Sequence, residues 1–254
     1  TDVGVMTSAC GLTAYLGDAF PAPYNRNVTF VAEPVSNLVH VDVLKDNGAS
    51  FTASRILEQK EFLSSTDAWS RPVNMYVGPD GALYVLDYYR KVIESPEWMS
   101  EDAIKAGDLY DGIDKGRIYR ITPTNAKPAE WTKGLKLGDA TNEELVNTLS
   151  HPNNWWRLNA QRLLVDRGDK EIAPALIAML NNNSPMGRLH ALWTLQGLGE
   201  LKSQQIEKAL KDSIAGIREN AIQLAELNLT IYPELATTLL SLQNDKDAKV
   251  RFQL

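Results

Sequence analysis

The chain contains very little cysteine and histidine. Of its 254 residues only Cys10 carries a thiol, so an internal disulfide, a cysteine-paired haem attachment and a cysteine zinc site are all excluded. The three histidines, His40, His151 and His190, show no metal-ligand spacing. We therefore expect the thiol and the three imidazoles to be structural groups.

Positive charge and long apolar runs are also scarce. The chain has 26 Lys and Arg residues against 32 Asp and Glu residues, a formal net charge of −6. A protein of this sign is not built to neutralise phosphate backbones, which excludes nucleic acid as the expected partner. No apolar run reaches the ~18 residues of a membrane span, so we expect no transmembrane segment in this chain.

The two ends of the chain lack the usual signals. It begins at Thr1 without a basic leader region, and it stops at Leu254 within an apolar pattern that has no helix stop signal. We interpret the chain as an internal piece of a longer protein.

The first half of the chain has the alternating pattern of short β-strands. The turn signals Asp46-Asn47-Gly48 and Gly78-Pro79-Asp80-Gly81 each predict a hairpin. Strands joined directly by turns are typical of a meander, as in propeller blades or a sandwich. The predicted strands cover residues 28–32, 38–44, 50–57, 73–77, 82–86 and 116–121.

A long insertion separates the last two predicted strands. It covers residues 91–115, and Ser100 followed by Glu101 and Asp102 is typical of a helix N-terminus. Insertions of this length are either functional or disordered.

The second half of the chain has a helical repeat. The four arginines that mark it are 31, 30 and 33 residues apart, and apolar residues precede and follow them in phase. A period near 30 made of two short helices predicts an α-solenoid. The arginines are Arg157, Arg188, Arg218 and Arg251.

We expect an α+β chain in two parts. Residues 1–126 form the β part, residues 127–140 form a linker with little periodic pattern, and residues 141–254 form the α-solenoid.

These patterns resemble two known families. The repeats are similar to HEAT-type repeats, in which an arginine near the start of one helix ties one repeat to the next. The β part resembles the end of the six-bladed propeller of soluble quinoprotein dehydrogenases of the glucose/sorbosone type. The combination resembles large bacterial proteins described as membrane-bound dehydrogenases, in which a cytochrome c domain follows the repeats. The matching stretches are residues 10–15, 17–21, 71–74, 78–87 and 116–121.

The resemblance implies a quinone-dependent sugar or alcohol dehydrogenase that passes electrons to a cytochrome c. Pyrroloquinoline quinone (PQQ) and calcium would be the cofactors of the full-length parent, and the location would be the periplasm or cell envelope. About two propeller blades would lie in this chain, so most of the site would lie elsewhere and none of the cofactor would bind here.

Three residues of the β part are candidate cofactor ligands. The resemblance places Arg71 where an arginine faces the quinone, and a carboxylated quinone needs such a donor. The alternative is that Arg71 pairs with a carboxylate such as Asp67. Asp87 and Arg90, with Tyr88 between them, end a predicted strand beside the insertion, where site residues are common. Their alternative is a turn-capping Asp and a solvated Arg.

Other polar and aromatic groups have simpler interpretations. Asp108, Asp111 and Asp114 could suggest calcium, but their spacing is not that of an EF-hand, so we expect an acidic solvated turn. The repeats also carry tryptophans, which we expect to pack in the solenoid rather than form a sugar platform. They are Trp155, Trp156 and Trp193.

Two functions from different classes remain open. The first is part of a quinone-dependent dehydrogenase, and the second is a non-catalytic scaffold of propeller and repeats that mediates protein interactions. In either case the strands near residues 5–16 and 28–44 would form an open β edge. We therefore expect the chain to self-associate through its β half, or its N-terminal segment to be rearranged or poorly ordered.

Overall fold

The computed structural model describes residues 6–126, 134 and 136–254. The described residues divide into two compact units. The β unit contains residues 6–45 and 53–126, and the helical unit contains residues 46–52, 134 and 136–254. Antiparallel sheets in the first half followed by helices in the second confirm the expected two-part α+β class. The predicted linker at 127–140 lies largely outside the described residues.

Within the described residues, eight strands form two sheets. The first sheet has the order β1-β2-β3-β4, with β5 paired to β3, and the second has the order β6-β7-β8. Both predicted hairpins are present, and Gly48 and Gly81 take the positive φ values of 60° and 73° that such turns require. The strands are β1 (Cys10–Ala14), β2 (Val28–Glu33), β3 (Leu38–Asn47), β4 (Ser50–Arg55), β5 (Leu63–Ser64), β6 (Pro72–Val77), β7 (Leu83–Asp87) and β8 (Arg117–Ile121).

The two sheets of the β unit are joined through β1 and β6. The Thr13 hydroxyl donates to the Met75 carbonyl at 2.9 Å, and the Tyr15 hydroxyl donates to the Gly81 carbonyl at 2.7 Å. The buried side chains between the sheets include Phe30, Met75 and Leu83. Tight apolar packing therefore fixes the edge of one sheet against the first strand of the next.

Cys10 lies at this junction as a structural group. Its thiol donates to the Val73 carbonyl at 3.3 Å. Burial, with a smaller contribution from Glu33, raises the pKa of the Cys10 thiol and so disfavours the thiolate.

The insertion between β7 and β8 is ordered into short turns. It contains helix α1 (Glu101–Lys105) between two 3₁₀ turns, Pro96–Trp98 and Asp108–Tyr110. The Ser100 hydroxyl accepts from the Ala103 N–H, so the expected N-cap is confirmed.

The helical unit repeats a short helix followed by a long one. Between residues 142 and 241 the short helices have 7 residues each and the long helices have 14 residues each. Each long helix packs on its short partner and on the next long helix. No helix in the described ranges is long and apolar enough to cross a membrane. The helices are α2 (Asn142–Thr148), α3 (Asn154–Arg167), α4 (Ala173–Met179), α5 (Pro185–Leu198), α6 (Ser203–Ala209), α7 (Ala215–Asn228), α8 (Leu235–Ser241) and α9 (Ala248–Gln253).

The four repeated arginines make the same contact. In each repeat the Nη1 group donates to the backbone carbonyl six residues earlier, at 2.6, 2.8, 2.8 and 2.5 Å in chain order. Each guanidinium therefore closes the loop that precedes its own helix. The accepting carbonyls belong to His151, Asn182, Asp212 and Asp245.

Two of the arginines also bind a carboxylate in the following loop. Arg188 donates hydrogen bonds from Nε and Nη2 to the two carboxylate oxygens of Asp212, both at 2.9 Å. Arg218 donates to the two carboxylate oxygens of Asp245 through the same two atoms, at 2.8 and 2.7 Å. Both side chains are largely buried. The hydrogen bond from Arg218 holds the pKa of the Asp245 carboxyl below its ordinary value. Each of these two arginines therefore contacts a carbonyl of its own loop and a carboxylate of the next loop.

The ladder of arginine–carboxylate pairs is interrupted at Arg157. The residue equivalent to Asp212 and Asp245 in the second repeat is Asn182, whose side-chain oxygen accepts from a backbone N–H two residues on, as the two aspartates do. Arg157 is only 4% exposed, and its Nε has no hydrogen-bond partner among the described residues. Burial lowers the pKa of its guanidinium.

His190 is a buried neutral group beside this break. Its Nδ1 lies 2.6 Å from Oε1 of Gln161. Burial, with a smaller effect of the Arg157 charge, lowers the pKa of His190 from 6.5 to about 4.

Replacing Arg188 tests the ladder. Arg188→Ala leaves the Asp212 carboxylate without its bidentate donor, so we expect the free energy of unfolding to fall by about 1–3 kcal/mol. Urea denaturation followed by circular dichroism measures the change, and Arg162→Ala, at an exposed position on α3, is the control. An unchanged midpoint for Arg188→Ala would contradict the assignment.

Introducing a carboxylate at position 182 should raise the stability of the protein. Asn182→Asp places a carboxylate at the position equivalent to Asp212 and Asp245. If this carboxylate pairs with Arg157, we expect the free energy of unfolding to rise by about 1 kcal/mol. Asn183→Asp introduces the same charge one residue away and should not stabilise the protein. Equal effects of the two variants would show that net charge, and not the Arg157 contact, is responsible.

His190 predicts a pH dependence. The folded pKa lies below the unfolded one, so the unfolded chain takes up a proton first, and stability falls as the pH drops from 6.5 towards about 4. The full loss is at most about 3 kcal/mol. His190→Gln should flatten the stability curve over this window, as measured by urea denaturation at each pH, and an unaltered slope would be inconsistent with a buried neutral imidazole.

Candidate functional site

Asp87 is the centre of the predicted site. It ends β7, is buried, and accepts four hydrogen bonds. Its Oδ1 accepts from the backbone N–H groups of Arg71 at 2.6 Å and Tyr89 at 2.9 Å, and its Oδ2 accepts from the hydroxyls of Ser70 and Tyr119, both at 3.2 Å. This carboxylate therefore ties the start of β6, the turn after β7 and strand β8 together.

The Arg71 guanidinium crosslinks two loops through their backbone. Nε donates to the Arg90 carbonyl at 3.1 Å, Nη1 to the Pro34 carbonyl at 2.9 Å, and Nη2 to the Lys91 carbonyl at 3.1 Å. Burial lowers the pKa of Arg71, and the nearby Asp87 and Glu33 carboxylates oppose that effect. All three nitrogens are thus engaged by the protein itself.

The Arg90 guanidinium likewise donates to backbone carbonyls, and two of them belong to the insertion. Its Nη1 donates to the carbonyls of Gly112 and Tyr89, and its guanidinium lies over the Tyr88 ring at 4.4 Å. Gly112 has φ +91°, and a Cβ there would lie 2.6 Å from the Tyr89 carbonyl oxygen. The close approach that Arg90 stabilises thus requires glycine at 112.

The structure brings Arg71, Asp87 and Arg90 together, and their side chains form hydrogen bonds that connect neighbouring loops. The alternative pairing of Arg71 with Asp67 is not formed, because Asp67 accepts instead from Trp69 N–H at 3.0 Å and from the Tyr89 hydroxyl at 2.9 Å. The Arg71 guanidinium donates to backbone carbonyls and to no carboxylate side chain among the described residues. The sequence did not reveal what the two guanidinium groups contact.

Sequence reasoning missed an aromatic and cationic group beside Asp87. Tyr89 has a left-handed backbone with φ 49°, and the Arg117 guanidinium lies 3.8 Å from the centre of its ring. Arg117 also donates to the Tyr119 hydroxyl at 3.2 Å and lies 3.9 Å from Asp67. A tyrosine with positive φ is uncommon, and only the folded backbone identifies it.

The acidic residues of the insertion do not assemble into a cation site. Asp108 pairs with the Lys91 ammonium at 2.5 Å, and the Asp111 carbonyl accepts from the Lys91 N–H at 3.3 Å. Over the part of the chain that the structure describes, no group of three or more His, Cys, Asp or Glu residues could hold a metal ion.

The histidines and tryptophans make internal contacts. His40 lies between Glu61 at 2.6 Å and Asp42 at 3.0 Å on the β unit. In the helical unit the Trp193 indole donates to Asn220 at 2.9 Å. Trp155 and Trp156 pack edge to face with centroids 5.2 Å apart.

The comparisons with known proteins concern the β half. Residues 1–125 match the family model of a domain of unknown function, DUF7133. No curated protein and no solved structure matches the chain. The matched segment includes Arg71, Asp87 and Arg90, so these residues lie within a recognised domain whose description states no activity.

Two substitutions at Asp87 separate structure from chemistry. Asp87→Ala removes the two oxygens that accept all four hydrogen bonds, and we expect the β unit to lose about 1–3 kcal/mol of stability. Asp87→Asn can keep an oxygen on the two backbone N–H groups while its amide donates to the hydroxyls, so its loss should be less than half as large. Chemical denaturation followed by tryptophan fluorescence measures both, and equal losses would contradict a purely positional role.

Proposed function

We propose that this chain is a non-catalytic scaffold, in which part of a β-propeller precedes an α-solenoid of HEAT-like repeats and both present surfaces to protein partners. The observation that carries the proposal is the use of Arg71, Asp87 and Arg90. Each of these side chains is engaged in bonds that hold neighbouring loops together.

The regular helix lengths support the HEAT-like part of the proposal. Short helices of 7 residues alternate with long helices of 14, and the arginine of each long helix closes its own loop. Repeats of this kind contact mainly their sequence neighbours and leave extended surfaces for binding.

The arrangement of the sheets supports the propeller part. Two small antiparallel sheets lie side by side, joined through β1 and β6, which suits two neighbouring blades. The prediction that a piece of a propeller self-associates through its open edge follows from the same arrangement and stays a prediction.

A quinone-dependent dehydrogenase is the second candidate, for a longer parent protein. The sheet arrangement and the resemblance around residues 71–87 favour it, and it would use PQQ and calcium, deliver electrons to a cytochrome c domain and lie in the periplasm or envelope. The predicted ligands do not fit the quinone, because its carboxylates would have to displace the carbonyls bound by Arg71. We therefore derive no reaction step through it.

A direct assay tests whether this chain has quinone-dependent activity of its own. The purified protein is mixed with PQQ and calcium chloride, and reduction of an artificial electron acceptor is followed across a panel of sugars and alcohols. We expect no reduction above the blank without protein. Quinone-dependent turnover that is lost in Arg71→Ala but kept in Arg162→Ala would overturn the scaffold proposal.

A further inference from the structure

The insertion at residues 91–115 carries most of the excess negative charge of the chain. It contains seven acidic and three basic residues, a net charge of −4 within a total of −6. Each of its lysines already lies against a carboxylate of the same segment, at 2.5, 3.3 and 3.6 Å. The insertion therefore presents an excess of four carboxylates to solvent.

The same segment exposes large apolar side chains. Trp98 is 80% exposed, Tyr110 is 71% exposed and Ile113 is 65% exposed. Neighbouring apolar groups exposed in this way, rimmed by charged residues, are typical of a protein interaction surface.

A groove of about 260 Å³ lies at the centre of this surface. The residues that line it include Tyr88, Arg90, Glu94, Tyr110 and Ile113. The volume suits one aliphatic or aromatic side chain rather than a whole cofactor.

The arginines of the candidate site hold the walls of the groove. Arg90 donates to the carbonyls of Gly112 and Ile113 on one side, and Arg71 donates to the carbonyls of Arg90 and Lys91 on the other. A groove whose backbone is fixed in this way is preformed, which lowers the entropic cost of binding.

We propose that the insertion at residues 91–115 is a docking surface for a basic protein segment. One apolar side chain of the partner occupies the groove, and flanking lysines or arginines lie on the surplus carboxylates. The charge complementarity selects this occupant, because nucleic acids, acidic peptides and anionic membranes are repelled by the same carboxylates. Binding of a basic segment at this surface does not depend on any quinone chemistry.

Three peptides test the chemistry of the partner. The probe is a labelled hexapeptide, Lys-Trp-Lys-Lys-Leu-Lys, with blocked ends. One comparison peptide replaces Trp and Leu by Ser, and the other replaces every Lys by Glu. Fluorescence anisotropy with the full chain in 20 mM salt should show at least about tenfold weaker binding of the Ser peptide and no binding of the Glu peptide. Binding of the basic apolar peptide should weaken at least about tenfold in 300 mM salt, because surface charges are then screened.

Matched variants locate the site. Tyr110→Ala should weaken binding of the Lys-Trp peptide about tenfold, whereas Tyr76→Ala, at an exposed tyrosine on β6, should leave it unchanged. The double variant Glu94→Gln with Glu97→Gln should reduce both the affinity and its salt dependence, with Glu58→Gln as the control. Circular dichroism confirms that each variant is folded.

The outcomes are decisive in either direction. The proposal is overturned if the Ser and Trp peptides bind equally, if the Tyr110 and Tyr76 variants behave alike, or if glucose binds the groove and the basic peptide does not. Binding that requires both lysines and apolar side chains, and that is lost only in the insertion variants, supports it.

Discussion

Arginine groups that donate to backbone carbonyls hold the loops of both units. A guanidinium offers five N–H donors in a planar fork, so one side chain can satisfy several carbonyls that would otherwise be buried without partners. In the helical unit Arg188 and Arg218 each donate to a carbonyl of the loop before their own helix and to the aspartate of the next loop. In the β unit Arg71 joins the loop after β2 to the turn after β7.

The same contact explains how the candidate site and the insertion are related. Arg71 and Arg90 lie where the chain leaves β7, and their bonds to carbonyls fix the first and last parts of the insertion. The buried Asp87 orders the turn between them through backbone N–H groups. The contacts that these two arginines and the aspartate make satisfy the polar backbone groups of a tight turn.

Local patterns were sufficient to predict most of the elements. The Asp46-Asn47-Gly48 turn, the Ser100 cap and the arginine period each depend on neighbours within one turn or one repeat, and the structure contains all three. The contacts of Arg71 could not be predicted, because its acceptors are carbonyls 19, 20, 36 and 37 residues away. Every residue of the chain carries a backbone carbonyl that could accept in the same way. Carbonyl partners leave no pattern in side-chain identity.

The interruption at Arg157 shows why a repeat pattern alone does not fix the energetics. The period places an arginine in each repeat, and the loop that follows the repeat supplies the carboxylate that pairs with it. In the loop that follows the first repeat, Asn182 occupies the position that Asp212 and Asp245 occupy in later loops. Burying a guanidinium without a counter-charge is costly. Burial, with a smaller effect of the Arg157 charge, lowers the pKa of the nearby His190 and keeps its imidazole neutral. The first two repeats are thus joined by apolar packing and uncharged hydrogen bonds, and the later repeats by ion pairs as well.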